Sequence, residues 1–189
     1  LQNGQRRFAF SDNSTGCELG TPNVPVAVNI VPADIRNAAG PFETTIQSDT
    51  AALHELVARM VAAVPDIHAL RDPTRGGLAT TLNEIATQSQ VGMTIEEALI
   101  PVLPQVEAAC ELLGLDPLYV ANEGKLIAIC APEVADQLLA AMRAHPLGQG
   151  AQRIGTVTQD SHCFVQMNTR FGGRRVVDWL SGEQLPRIC

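Results

Sequence analysis

The sequence has no apolar run near the roughly 20 residues that a membrane-spanning helix needs. It also has no excess of positive charge and no Cys-x-x-Cys pair. The first absence argues against a helical membrane span. The second argues against a nucleic-acid surface or a polybasic membrane contact, because the formal net charge is −7. Five cysteines are present, Cys17, Cys110, Cys130, Cys163 and Cys189. An odd count leaves a disulfide framework incomplete, so a reducing, cytoplasmic compartment is expected. Cys110 and Cys130 lie in apolar stretches and read as small buried hydrophobes. The histidines are scattered, and only His162 adjoins a cysteine. Structural zinc takes four ligands, so no metal site is expected. Residues 1–7 are polar and lack the apolar stretch of a signal peptide. The chain begins with Leu1 rather than Met, which suggests a piece of a longer protein. No internal repeat or low-complexity tract is evident.

What is present fits one domain plus an arm: 189 residues, 46% hydrophobic. Residues 1–47 carry turn formers and one strand-like run, 24–31. Pro25 interrupts that run and Pro32 closes it, so at best it is an edge strand. From Ser48 the pattern sharpens. Ser48 or Asp49 can cap a helix whose inner face is Leu53, Leu56, Val57, Met60, Val61 and Val64, ended by Pro65. A short apolar piece, 67–70, leads to a second helix over 78–90, with Leu78, Leu82, Ile85 and Ala86 inward. A strand is expected over 91–95. A helix opens at Pro104, with Val106, Ala109, Cys110 and Leu113 inward, and Gly114 stops it. Residues 118–120 and 125–130 read as strands, and Pro132 opens a further helix with Val134, Leu138 and Met142 inward. Three short strands follow, 153–157, 163–168 and 174–179. The alternation, ending in consecutive strands, predicts an α/β (α+β) fold: a mixed sheet packed with helices.

Three places concentrate chemistry. Arg71-Asp72-Pro73-Thr74-Arg75-Gly76-Gly77 joins an apolar piece to a helix start. Asp72 or Thr74 can cap that helix, and Gly76-Gly77 lets a ligand or another backbone come close. Arg71 and Arg75 would favour an anion such as phosphate there. The alternative is a capped turn with solvated arginines. Ala121-Asn122-Glu123-Gly124-Lys125 interrupts two apolar stretches. Glu123 can act as a general base if desolvation raises its basicity, and the alternative is an ordinary hairpin turn. Lys125 either pairs with Glu123 or lies in solvent. The third place is the end of the chain, Pro186-Arg187-Ile188-Cys189. A thiol on a proline-stiffened arm can visit several sites, or it can be a tail thiol without a role.

These elements, together with Cys110-Glu111-Leu112-Leu113-Gly114-Leu115-Asp116 and His145-Pro146-Leu147-Gly148, resemble the carbamoyl dehydratase (HypE) family of hydrogenase maturation factors. The likeness spans about residues 43–189. The Arg-Asp-Pro-Thr-Arg-Gly-Gly segment alone also fits the wider superfamily of aminoimidazole ribonucleotide and selenophosphate synthetases. The resemblance implies the carboxy-terminal domain fold of that superfamily. It implies that the carbamoyltransferase HypF places a carbamoyl group on Cys189. ATP, with magnesium, activates the group, and its dehydration leaves a thiocyanate. The cyanide passes to iron on a HypC–HypD complex, for a nickel–iron hydrogenase centre. In that scheme Cys189 is the covalent carrier and Glu123 the base. Arg71, Asp72, Thr74, Arg75, Gly76 and Gly77 shape a wall near the phosphates. The family is homodimeric.

The chain departs from the family in two ways. The amino-terminal domain that supplies most ATP and magnesium contacts is not in this sequence. Residues 1–42 do not match, and the expected apolar strand and Gly-Asp-His-Gly loop are not found there. The sequence therefore divides into a leader (1–42) expected to be poorly ordered, a domain (43–180) and a flexible arm (181–189). An edge or apolar surface left open by the missing strand is expected, and so is a chain unable to dehydrate anything alone. Two other readings stand beside this one: a non-catalytic acceptor or partner-docking domain, and another ATP-dependent synthetase of the superfamily.

Overall fold

A computed structural model of the chain describes residues 24–28, as backbone, and residues 49–180. Its strands form one seven-stranded sheet in the order β2-β4-β1-β5-β3-β6-β7. These are β1 (Val24–Val28), β2 (Ile67–Arg71), β3 (Gly92–Glu96), β4 (Ile127–Cys130), β5 (Gln152–Thr158), β6 (Val165–Asn168) and β7 (Arg174–Val176). All neighbouring strands are antiparallel except β3 and β6, which run parallel. Among the described residues four α-helices accompany them: α1 (His54–Ala63), α2 (Gly77–Ser89), α3 (Pro104–Leu113) and α4 (Ala135–Arg143). The expected mixed sheet packed with helices is observed.

Strand β4 shows how the layers are arranged. Successive strand residues point to opposite faces of a sheet. Ile127 and Ile129 join a core with Leu78, Leu82 and Ile85 of α2. Leu126, Ala128 and Cys130 join a second core with Leu56 and Met60 of α1 and Leu138 and Met142 of α4. Helices therefore cover both faces of the sheet, and all four residues of β4 are buried. A strand apolar at every position is the sequence mark of this arrangement. A third, smaller core joins α3 to Val120.

Several expectations change. The run 24–31 was expected at an edge, yet β1 lies inside the sheet, between β4 and β5. Pro25 is tolerated because it pairs only with Thr156 of β5, while pairing with β4 begins at Val26. The strand expected to be missing from the leader is thus supplied by residues 24–28. Residues 118–120 form no strand: Leu118 and Tyr119 lie in a 3-10 turn, Pro117–Tyr119, and Val120 follows it. The Asp116 side chain accepts the Leu118 N–H at 3.0 Å and holds the backbone in that turn. Val61 is 43% exposed, because α1 buries the narrower stripe Leu56, Met60 and Val64. Neither Asp72 nor Thr74 caps α2: its N-cap is Gly76, with no side-chain cap bond. Asp49 does not cap α1, whose N-cap is Leu53. Ser48 and the arm 181–189, with Cys189, lie outside the described residues.

Leu82 is completely buried between α2 and the sheet. The Leu82→Ala variant is expected to lose about 2–5 kcal/mol of stability, read as a lower urea midpoint with an unchanged slope.

Candidate functional site

Pairing of β2 with β4 sets the site. Arg71, the last residue of β2, lies opposite Ile127, the first of β4. In an antiparallel pair this register brings the loop leaving β2 and the loop entering β4 to one end of the sheet. The two sequence elements of greatest chemical interest, 71–77 and 121–125, are therefore neighbours. They are also joined directly, because the Asn122 N–H donates to the Pro73 carbonyl at 3.1 Å.

The double glycine serves this junction. Gly76 and Gly77 both have positive φ, 70° and 61°, a region that glycine enters without strain. A Cβ on Gly77 would lie 2.5 Å from the Leu118 oxygen and 2.6 Å from the Val120 oxygen. Of the two uses expected for these glycines, close approach of another backbone is the one observed at Gly77. Arg71 is drawn to Glu84, further along α2, in an ion pair of 2.5 Å, so its charge is matched by a carboxylate. Asp72 and Arg75 are exposed, and Thr74 is half-buried, its carbonyl accepting from the Gly77 N–H at 3.4 Å.

The second loop is held from below by residues whose role the sequence did not reveal. Asn122 is fully buried, and its side-chain nitrogen donates to the Val120 carbonyl at 2.8 Å. The carboxylate of Asp49 is buried, and its Oδ2 accepts the N–H groups of Glu123, at 3.1 Å, and Gly124, at 3.4 Å. Gly124 presses on Asp49 so closely that a Cβ would sit 1.7 Å from the Asp49 carbonyl oxygen. Lys125 is buried, not solvated, and donates from Nζ to the Gly124 carbonyl at 3.3 Å. Burial pushes its ammonium below the usual lysine range, and the Asp49 charge opposes that shift. Glu123 itself is exposed. This loop is therefore no ordinary hairpin turn: it connects a 3-10 turn to β4 over buried charges. Charged and glycine residues between apolar flanks marked it in the sequence, but its hydrogen bonds to residue 49 have no local signature.

The root of the arm converges on the same region. The buried Asn83 of α2 donates to the Val177 carbonyl at 2.9 Å, and the Tyr119 hydroxyl donates to the Asp178 carbonyl at 3.0 Å. Cys110 and Cys130 are buried, as expected, and desolvation, with Asp116 beside it, raises the Cys110 thiol to about 11. Among the described residues no group of three or more His, Cys, Asp or Glu side chains is arranged to hold a metal. No described helix is long and apolar enough to cross a membrane.

Known proteins share this fold. Residues 34–168 match the family model described as AIR synthase related protein, C-terminal domain. A carbamoyl dehydratase HypE of Cupriavidus necator is 74% identical over 148 residues, covering 78% of this chain and 42% of that protein. One from Azotobacter vinelandii is 70% identical over 148 residues, covering 78% of this chain and 43% of that protein. This chain thus spans less than half the length of these relatives. A crystal structure of hydrogenase maturation protein HypE superposes with a TM-score of 0.81 at 44% identity, over 89% of this chain and 56% of that one. A HypE structure in complex with ATP gives 0.80 at 44% identity, over 89% and 53%. A HypE–HypF complex gives 0.77 at 35% identity, over 85% and 54%.

Two outcomes follow from the site. Gly77→Ala combines a positive φ with a collision against two carbonyls, so a loss of about 2 kcal/mol or more is expected, with faster amide exchange over residues 118–124. A thiol reagent at neutral pH is expected to label half-exposed Cys163 in the folded chain and to reach Cys110 and Cys130 only after denaturation, as peptide mass spectrometry would show. By its family match and its superposition on HypE structures, the chain belongs to the AIR synthase related family through that family's C-terminal domain, with its likeness to the HypE members.

Proposed function

We propose that this chain supplies the acceptor thiol and part of the active site for carbamoyl dehydration in hydrogenase maturation. The observation that carries the reading is the 74% identity with a carbamoyl dehydratase HypE over 78% of this chain. In this reading Cys189 receives a carbamoyl group from HypF. ATP phosphorylates the carbamoyl oxygen, releasing ADP. The carbon–oxygen bond then breaks, phosphate leaves, the remaining N–H protons pass to bases, and the carbon–nitrogen bond becomes triple. Cys189 is left as a thiocyanate, from which cyanide goes to iron on a HypC–HypD complex. Glu123 takes a proton from the nitrogen.

Geometry supports the division of labour. The arm departs beside the Pro117–Tyr119 turn, against which Gly77 packs. From Asp178 the chain to Cys189 can extend at most about 35–40 Å, enough to visit its own site and a partner's. The carbonyls of Leu118 and Val120 occupy the space at Gly77, and Arg71 is paired with Glu84. In this reading the 71–77 turn forms a wall of the site near the ATP phosphates. The main ATP and magnesium contacts come from an amino-terminal domain like that of the relatives, and homodimerisation and a cytoplasmic setting belong to the same reading.

The test is mass spectrometry of the carboxy-terminal peptide after incubation with HypF, carbamoyl phosphate and ATP. The expected product is carbamoylated Cys189 in the chain alone, converted to thiocyanate when an ATP-binding HypE half is added. An unmodified Cys189 would overturn the acceptor role. Carbamate that persists with the added half would reduce the chain to an acceptor or docking domain.

A further inference from the structure

We propose that Asp49 and Lys125 are paired positioning residues that grip the Glu123–Gly124 peptide and so fix where the Glu123 carboxylate stands. The catalytic meaning of this grip rests on the function proposed above, while the grip itself does not. Asp49 accepts the N–H groups of Glu123 and Gly124, and Lys125 donates to the Gly124 carbonyl. Each residue is 7% exposed. Burying a lone carboxylate or ammonium is costly, and opposite charges on one short loop offset each other. The Asp49 carboxylate has no competing duty as a helix cap, since Leu53 occupies that position without any side-chain bond.

The contact is also specific in shape. Gly124 admits the Asp49 carbonyl where any side chain would collide. Asn122 adds a third hold through Pro73. Every one of these bonds ends on backbone, so they define the course of residues 122–124 and leave the Glu123 side chain on the exposed surface. A base must stand within about 3 Å of the proton it takes, and misplacement by roughly 1 Å can cost about a hundredfold in rate. A loop gripped at consecutive peptides meets that demand.

Lys125 is the single lysine of the chain, so lysine-selective carbon-13 labelling gives one side-chain NMR signal. Two substitutions serve the test, Asp49→Ala and the near-isosteric Asp49→Asn, which keeps one acceptor oxygen. In Asp49→Ala the lysine signal is expected to shift, and amide exchange over residues 121–126 to rise about tenfold while β3–β5 stays protected. In the reaction with HypF, carbamoyl phosphate, ATP and the added HypE half, thiocyanate formation is expected to slow about 10–100-fold at unchanged KM for ATP. Asp49→Asn is expected to fall between Asp49→Ala and wild type on each readout. An unmoved lysine signal with wild-type exchange in both variants would overturn the grip. A rate loss no larger than the loss of folded protein would overturn the positioning role of the grip in catalysis. If wild type itself forms no thiocyanate, the proposed function fails, and the exchange and lysine signals still decide the grip.

Discussion

The double-sided burial of β4 governs the arrangement of the rest. Four consecutive residues, Ile-Ala-Ile-Cys, are apolar on both faces, so neither face can meet water without losing roughly 25 cal/mol for each Å² exposed. Helix α2 must cover one face and α1 with α4 the other. Strands β1 and β2 must flank it, or its backbone groups would be left without partners. Once β4 is enclosed, its entry loop is enclosed too. The site loop at 121–125 is thus a consequence of the core, not an appendage to it.

An enclosed loop carries polar backbone that needs partners. The chain meets this need with one side chain remote in sequence, Asp49 for two amides, with the loop's own Lys125 for a carbonyl, and with the distant Pro73 carbonyl for the Asn122 amide. Two oxygens, Asp49 Oδ1 and Asn122 Oδ1, are buried without a hydrogen-bond partner among the described residues. The network is tight where it meets backbone and incomplete where it faces away from it. Gly76 and Gly77 bring α2 against the same loop, so the helix start, the loop and the root of the arm share one packed corner.

The legible parts of the sequence were those with a local cause. Helical periodicity exposed the cores of α2, α3 and α4, and Gly114 marked the end of α3 with a left-handed residue. Residues 71–77 and 121–125 stood out because charged and glycine residues interrupt apolar stretches. Pairing across the chain was not legible. Nothing in Val24–Val28 announces that β4 and β5 enclose it, since Pro25 argues for an edge unless its neighbour stops one residue short. Asp49 looked like a helix cap because a capping carboxylate and one that bonds a distant loop look alike in sequence. The 3-10 turn at Pro117–Tyr119 was hidden by its own apolar residues, with the decisive bond coming from Asp116.

The exposure of Glu123 bears on how a complete site would work. Desolvation strengthens a carboxylate as a base only when some surface covers it. On this chain the Glu123 side chain faces outward while the peptide beneath it is fixed by buried charges. Under the proposed function, position and basicity would be set by different parts: the position by this domain, the basicity by the surface that covers the loop. Under the proposed function the covering surface is the one that delivers ATP. Closure would then remove water from the base at the moment the activated carbamoyl group is presented.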